Sequence, residues 1–99
     1  MVTVEIPSAL REFAGGRYEV RIDGMPATVA DALSLLWAAH PGLRDRVMDE
    51  RGAVRPHVNI FVNGENSRFV GGLATPIRDG AELIILPAVS GGIGDGVNG

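Results

Sequence analysis

Few side chains in this sequence are equipped for covalent chemistry. It contains no Cys and no Lys, and its nine basic residues are all Arg. That removes thiolate nucleophiles and metal ligands, disulfides, Schiff-base chemistry and acceptor lysines for isopeptide chains. The two histidines, His40 and His57, stand far apart in no ligand-like spacing. Asp45, Asp49 and Glu50 resemble a carboxylate cluster, but Arg44, Arg46 and Arg51 are interleaved with them, as on a solvated charged face. A net charge of −3 without a basic run argues against nucleic acid as the main partner. No metal site is expected.

The main chain is better equipped than the side chains. Leu86-Pro87-Ala88-Val89-Ser90-Gly91-Gly92 runs from an apolar stretch into two residues without side chains. Such an arm is the thinnest a peptide can be. It can enter a narrow active site on another protein and present a carboxyl group on Gly92 to ATP held there. The sequence continues past this point with Ile93 to Gly99, so Gly92 as given is an internal amide with no carboxylate of its own. Gly94-Asp95-Gly96-Val97-Asn98-Gly99 matches the G-x-G-x-x-G dinucleotide pattern. That pattern works only where it joins a strand to a helix, and no helix follows here.

An arm of this kind needs a rigid body to carry it, and the hydrophobic patterning supplies one. Val2, Val4 and Ile6 alternate with Thr3 and Glu5, which predicts a half-buried strand ending at Pro7. Ser8 to Ala14 is expected to form a turn of helix closed by Gly15-Gly16. Arg17 to Asp23 alternates again, with Tyr18, Val20 and Ile22 expected inward. Thr28 reads as a helix N-cap with Asp31 at the third helical position. Val29, Leu33, Leu36, Trp37 and His40 follow as one stripe, with Trp37 expected in the core and His40 near the helix end. Pro41-Gly42 stops that helix; Leu43 to Met48 adds a short second turn, and Asp49 to Pro56 reads as an exposed loop.

His57 to Val62 is β-branched and aromatic, and Asn63-Gly64 after it is a strong hairpin signal. Glu65 to Val70 is expected to return as a short edge strand. Asp79-Gly80 turns into Ala81 to Leu86, a run apolar on both faces and so a central strand. The fold class is α+β, a β-grasp (ubiquitin-like) arrangement. A mixed four- to five-stranded sheet carries one main helix on one face, with the first and last strands parallel in the middle. Residues 1–86 form this domain; residues 87–99 read as a flexible tail holding Gly91-Gly92 and a seven-residue extension. If Val58, Ile60 and Val62 face the helix, Phe61 faces the other side of the sheet, where it is either idle or part of a docking patch. No apolar run approaches the about 20 residues that span a bilayer, and Met1 to Glu5 lacks the features of a secretory signal, so a cytoplasmic location is expected.

Val58-Asn59-Ile60-Phe61-Val62-Asn63-Gly64, Arg68-Phe69, Gly71-Gly72-Leu73-Ala74-Thr75, Asp79-Gly80 and Leu86 to Gly92, in this order and spacing, resemble the MoaD/ThiS family of sulfur carriers. The resemblance covers residues 2 to 92. Its Arg68 to Thr75 block is most similar to the CysO-type carriers of actinobacterial cysteine biosynthesis. The resemblance implies a carrier rather than an enzyme, with no bound cofactor. An adenylating enzyme related to ubiquitin activators would join the Gly92 carboxylate to AMP from ATP, and sulfur would then displace AMP to leave a thiocarboxylate. A PLP-dependent cysteine synthase would take the sulfur, and a JAMM-type zinc protease would release the product. Gly91 is the slim neighbour and Pro87, Val89 and Ser90 belong to the arm; Phe61, Phe69 and Leu73 are candidates for partner docking. Cleavage between Gly92 and Ile93 is expected to mature the chain. A small subunit of molybdopterin synthase, a sulfur carrier for a secondary-metabolite pathway and a ubiquitin-like modifier or binding domain are the alternatives.

Overall fold

The structure, a computed structural model, describes residues 1–87, and the alternating runs at the two ends of that span lie side by side. β1 (Val2–Glu5) and β5 (Glu82–Pro87) pair in parallel, with Val4 beside Leu83. Parallel neighbours need a long crossover, and the rest of the described chain provides it. β2 (Glu19–Ile22) pairs antiparallel with β1, β3 (Val58–Val62) with β5, and the two-residue β4 (Glu65–Asn66) with β3. The order across the five-stranded sheet is β2-β1-β5-β3-β4, the mixed sheet expected from the sequence.

α1 (Val29–Ala39) lies on one face, started by the cap the sequence predicts. The Asp31 N–H donates to the Thr28 hydroxyl at 3.2 Å, and the Asp31 carboxylate accepts the Ala27 N–H at 3.3 Å. Its buried residues Val29, Ala32, Leu33 and Leu36 meet Val2, Val4, Val20, Ile22, Val58, Ile60, Leu83 and Ile85 from the sheet. Trp37 packs against this core while partly exposed. α1 ends at Ala39, and Pro41, which lacks the N–H that a first helical residue would leave unpaired, opens α2 (Pro41–Val47). α2 adds Leu43 and Val47 to the core.

Three elements differ from the sequence expectation. Tyr18 is 66% exposed rather than inward. β2 begins only at Glu19, and the 3-10 helix Ser8–Ala14 already closes that end of the core with Ala14, Leu10 and Phe13. The strand expected over Glu65 to Val70 stops after Asn66, because the Asn66 side chain accepts the Arg68 N–H at 3.0 Å and caps a 3-10 turn, Ser67–Phe69. The loop expected to be exposed brings the partly buried Val54 against the core, where it forms a bridge with Met48.

Candidate functional site

Strand alternation sends every second side chain away from α1. Thr3 and Glu5 of β1, Glu82, Ile84 and Leu86 of β5, and Asn59 and Phe61 of β3 therefore share the open face of the sheet. Ile84 lies between Glu5 and Phe61, and Leu86 lies opposite Asn59. Phe61 and Ile84 are half-buried and Leu86 stays 44% exposed. The result is an apolar strip of three residues, flanked by Glu5 and Glu82, on the strand that leads into the C-terminal arm. An aromatic and two aliphatic side chains side by side, with a polar rim, are what a transient protein interface uses as its centre.

β5 reaches Pro87, which is paired with Val58, so the described chain ends on the last rung of the sheet. Beside this rung lies a polar network. The Arg68 guanidinium donates to the Val58 carbonyl at 2.8 Å, the Pro56 carbonyl at 3.3 Å and the Asn59 side-chain oxygen at 3.4 Å. The Asn66 side-chain amide donates to that same Asn59 oxygen at 3.1 Å. Among the described residues, no group of three or more His, Cys, Asp or Glu could hold a metal ion.

The structure separates the three docking candidates. Phe61 lies on the open face. Phe69 is 80% exposed on the 3-10 turn after β4. Leu73 packs on the core side and lines a cavity of about 310 Å3 with Val54, Val58 and Ile60. Val89, Ser90, Gly91, Gly92 and Ile93, with the tail assigned to them, lie outside the described residues. Ile84 and Leu86 were not among the candidates, although the apolar run in which they alternate with the buried Leu83 and Ile85 announces a second apolar face. His40 caps the C-terminal end of α1, with its backbone N–H on the Leu36 carbonyl.

The ThiS family model matches residues 4–92, which is nearly the whole chain and includes both glycines of the arm. The chain belongs to the ThiS family. The sulfur carrier protein CysO of Mycobacterium tuberculosis is 46% identical over 93 residues, spanning 92% of this chain and 98% of that protein. Small archaeal modifier protein 1 of Haloferax volcanii is 45% identical over 84 residues, covering 84% of this chain and 91% of the relative. The crystal structure of the BexX/CysO complex of Amycolatopsis orientalis superposes with a TM-score of 0.84 at 40% identity, covering 93% of this chain and all of that one. The ubiquitin-like β-grasp fold and membership among ThiS/MoaD sulfur carriers thus stand on both sequence and structure. Among the described residues no helix is long and apolar enough to cross a membrane.

Proposed function

We infer that this protein carries sulfur as a thiocarboxylate on Gly92 and delivers it to cysteine biosynthesis. The observation that supports this most is that the family match runs through Gly91 and ends on Gly92, leaving Ile93 to Gly99 outside it. Removal of those seven residues by a JAMM-type protease frees the Gly92 carboxylate. A carboxylate is a poor electrophile, so an adenylating partner transfers AMP to it from ATP and releases pyrophosphate. Hydrosulfide then attacks the acyl carbon; the new C–S bond replaces the acyl C–O bond and AMP leaves, with no change of oxidation state. The thiocarboxylate that remains is anionic at neutral pH and nucleophilic, which lets it hand sulfur to a PLP-dependent cysteine synthase without free sulfide. The carrier contributes the slim arm and the apolar strip of Phe61, Ile84 and Leu86 for docking; the chemistry belongs to its partners. A chain without Cys or Lys suits this task, because it holds neither a thiol nor a lysine amine to capture its own activated end.

The test compares the full chain with a chain ending at Gly92, each given ATP and a ubiquitin-activator-like adenylating enzyme. Acquisition of AMP by the short chain alone supports processing and carriage; failure of both overturns the reading. The intact mass from the native host is then expected to show loss of residues 93–99 and one oxygen replaced by sulfur. The likeness to small archaeal modifier protein 1 favours a second reading, conjugation to other proteins through Gly92. Adducts on other proteins under oxidative stress, without transfer of sulfur to a small-molecule acceptor, would replace the first reading by the second.

A further inference from the structure

β2 is an outer strand of the sheet, paired with β1 along one side only. The Tyr18 carbonyl accepts the Ile6 N–H at 2.7 Å, while the Thr3 N–H turns the other way and donates to the Ala81 carbonyl at 3.1 Å. Along an antiparallel strand, residues alternate between bonding the neighbour and facing away from it. Val20 and Ile22 therefore spend their backbone groups on Val4 and Val2, and those of Glu19 and Arg21 point outward from the sheet. Such an edge is a template for another strand. The side chains along it alternate in sign: Arg17, Glu19, Arg21 and Asp23, all exposed, around the buried Val20. Glu19 stands directly opposite Glu5 of β1, and Arg21, two residues along, reaches it only at 4.0 Å. Like charges directly opposite are destabilising and an exposed ion pair at that distance offsets little, so Glu19 is poorly matched within its own chain.

We propose that β2 is a docking edge for a second copy of this chain, paired antiparallel about a two-fold axis at Val20. In that register Glu19 of each copy faces Arg21 of the other and exchanges both backbone bonds with it, Arg17 faces Asp23, and Tyr18 faces Ile22. The segment Arg17-Tyr18-Glu19-Val20-Arg21-Ile22-Asp23 is thus its own complement. Centring the pair on Glu19 or on Arg21 puts like charges opposite one another, and centring it on Tyr18 or Ile22 leaves most of β2 facing residues outside the strand. The apolar side chains fit the same register. The exposed Tyr18 of one copy comes to the Ile22–Gly24 end of the other, where Met25 is exposed and the exposed Leu35 stands beside Gly24. Residues opposite one another share a face, so the two sheets join into one with both open faces on the same side. Phe61, Ile84 and Leu86 lie on β3 and β5, with β1 between them and the junction, and stay uncovered. The dimer therefore presents two apolar strips side by side, whatever docks on them.

The experiment is sedimentation velocity on the full chain from about 10 μM to about 1 mM, the range in which a small interface along one short strand is expected to associate. Glu19→Arg and Arg21→Glu each set like charges opposite one another, twice over by symmetry, and each is expected to weaken association about tenfold or more. An equimolar mixture of the two variants places opposite charges face to face again, as does the double variant Glu19→Arg/Arg21→Glu. Both are expected to associate within about threefold of wild type, which also shows that the variants are folded. Hydrogen exchange is expected to slow with rising concentration at the Glu19 and Arg21 amides, which have no strand to bond in the single chain, and not at Val4. Three outcomes would overturn the proposal. A wild-type chain still monomeric at about 1 mM has no such edge contact. Association indifferent to both charge reversals lies on another surface. Variants weakened alone and not restored on mixing respond to net charge rather than to pairing across β2.

Discussion

Replacing Leu86 tests whether the open face of the sheet is where a partner docks. Leu86 keeps 44% of its surface exposed in the free protein, beside Ile84 and opposite Asn59. Full burial of a leucine side chain is worth about 1.5–3 kcal/mol, so covering the exposed 44% contributes about 0.7–1.3 kcal/mol to docking. At about 1.4 kcal/mol per factor of ten, Leu86→Ala is expected to raise the KM for adenylation about three- to ninefold, with kcat unchanged. Leu86→Glu places a carboxylate against the covered strip and is expected to exceed tenfold. The assay is steady-state adenylation of the chain ending at Gly92, with thermal unfolding in parallel. The folded protein loses only the buried part of the side chain in Leu86→Ala, so it is expected to remain folded at 25 °C with a melting point a few degrees lower. A KM within twofold of wild type for both variants, in protein shown to be folded, would refute docking on this face and direct attention to Phe69 on the turn after β4.

Three further outcomes follow from the structure. Leu36→Ala removes a fully buried side chain of α1 and is expected to cost about 2–5 kcal/mol in urea unfolding; a loss below about 1 kcal/mol would mean Leu36 does not pack as tightly as its burial implies. Asn63 has φ of 48° and its side-chain oxygen accepts the Glu82 N–H at 2.9 Å, so Asn63→Ala combines backbone strain with a lost bond and is expected to cost about 2 kcal/mol. Asn63→Gly accepts the φ and loses only the bond; equal losses for the two variants would contradict this division. The Asp49 carboxylate is held below its ordinary pKa, first by the Ala53 N–H that donates to it, with the Arg51 N–H and guanidinium adding to the effect. Because the folded value is the lower one, this contribution is present above the ordinary carboxylate pKa and is lost as pH falls through the depressed value. NMR titration is expected to show the Arg51 and Ala53 amides shifting in that acid window, and the shift disappearing in Asp49→Asn.

Much of the fold is local, and the local parts are legible in the sequence. Thr28 and Asp31 cap α1 because a hydroxyl and a carboxylate reach backbone groups a few residues away, whatever the rest of the chain does. Asn63 and Gly64 turn the hairpin because both tolerate positive φ. Period-two alternation assigned Val4 and Val20 to the core before any partner strand was known. Tyr18 fails the same rule: it stands just before β2, which begins at Glu19, so the strand's pleat does not hold its side chain on the buried face and it stays exposed. Glu65 to Val70 misleads in the opposite direction, since the Asn66 cap competes with continued strand and wins after two residues.

The sequence determined the class of the protein, because thin arms and hairpin turns are properties of residue type and order. The absence of Cys and Lys turned attention to the main chain, and the pattern ending at Gly91-Gly92 identified the family. Tertiary structure decided what surrounds the arm. Phe61, Ile84 and Leu86 come together only because β3 and β5 pair in one particular register; a slip of one strand by one residue would put Phe61 and the two β5 side chains on opposite faces of the sheet. Arg68 reaches the carbonyls of Pro56 and Val58 across separations of 12 and 10 residues, a contact that depends on where the hairpin folds back. Leu73, close to Phe69 in sequence, turns to the core side because two successive 3-10 turns, not a strand, connect β4 to β5. Contacts of this kind arise from the packing of distant segments, so residue type and local spacing alone do not specify them.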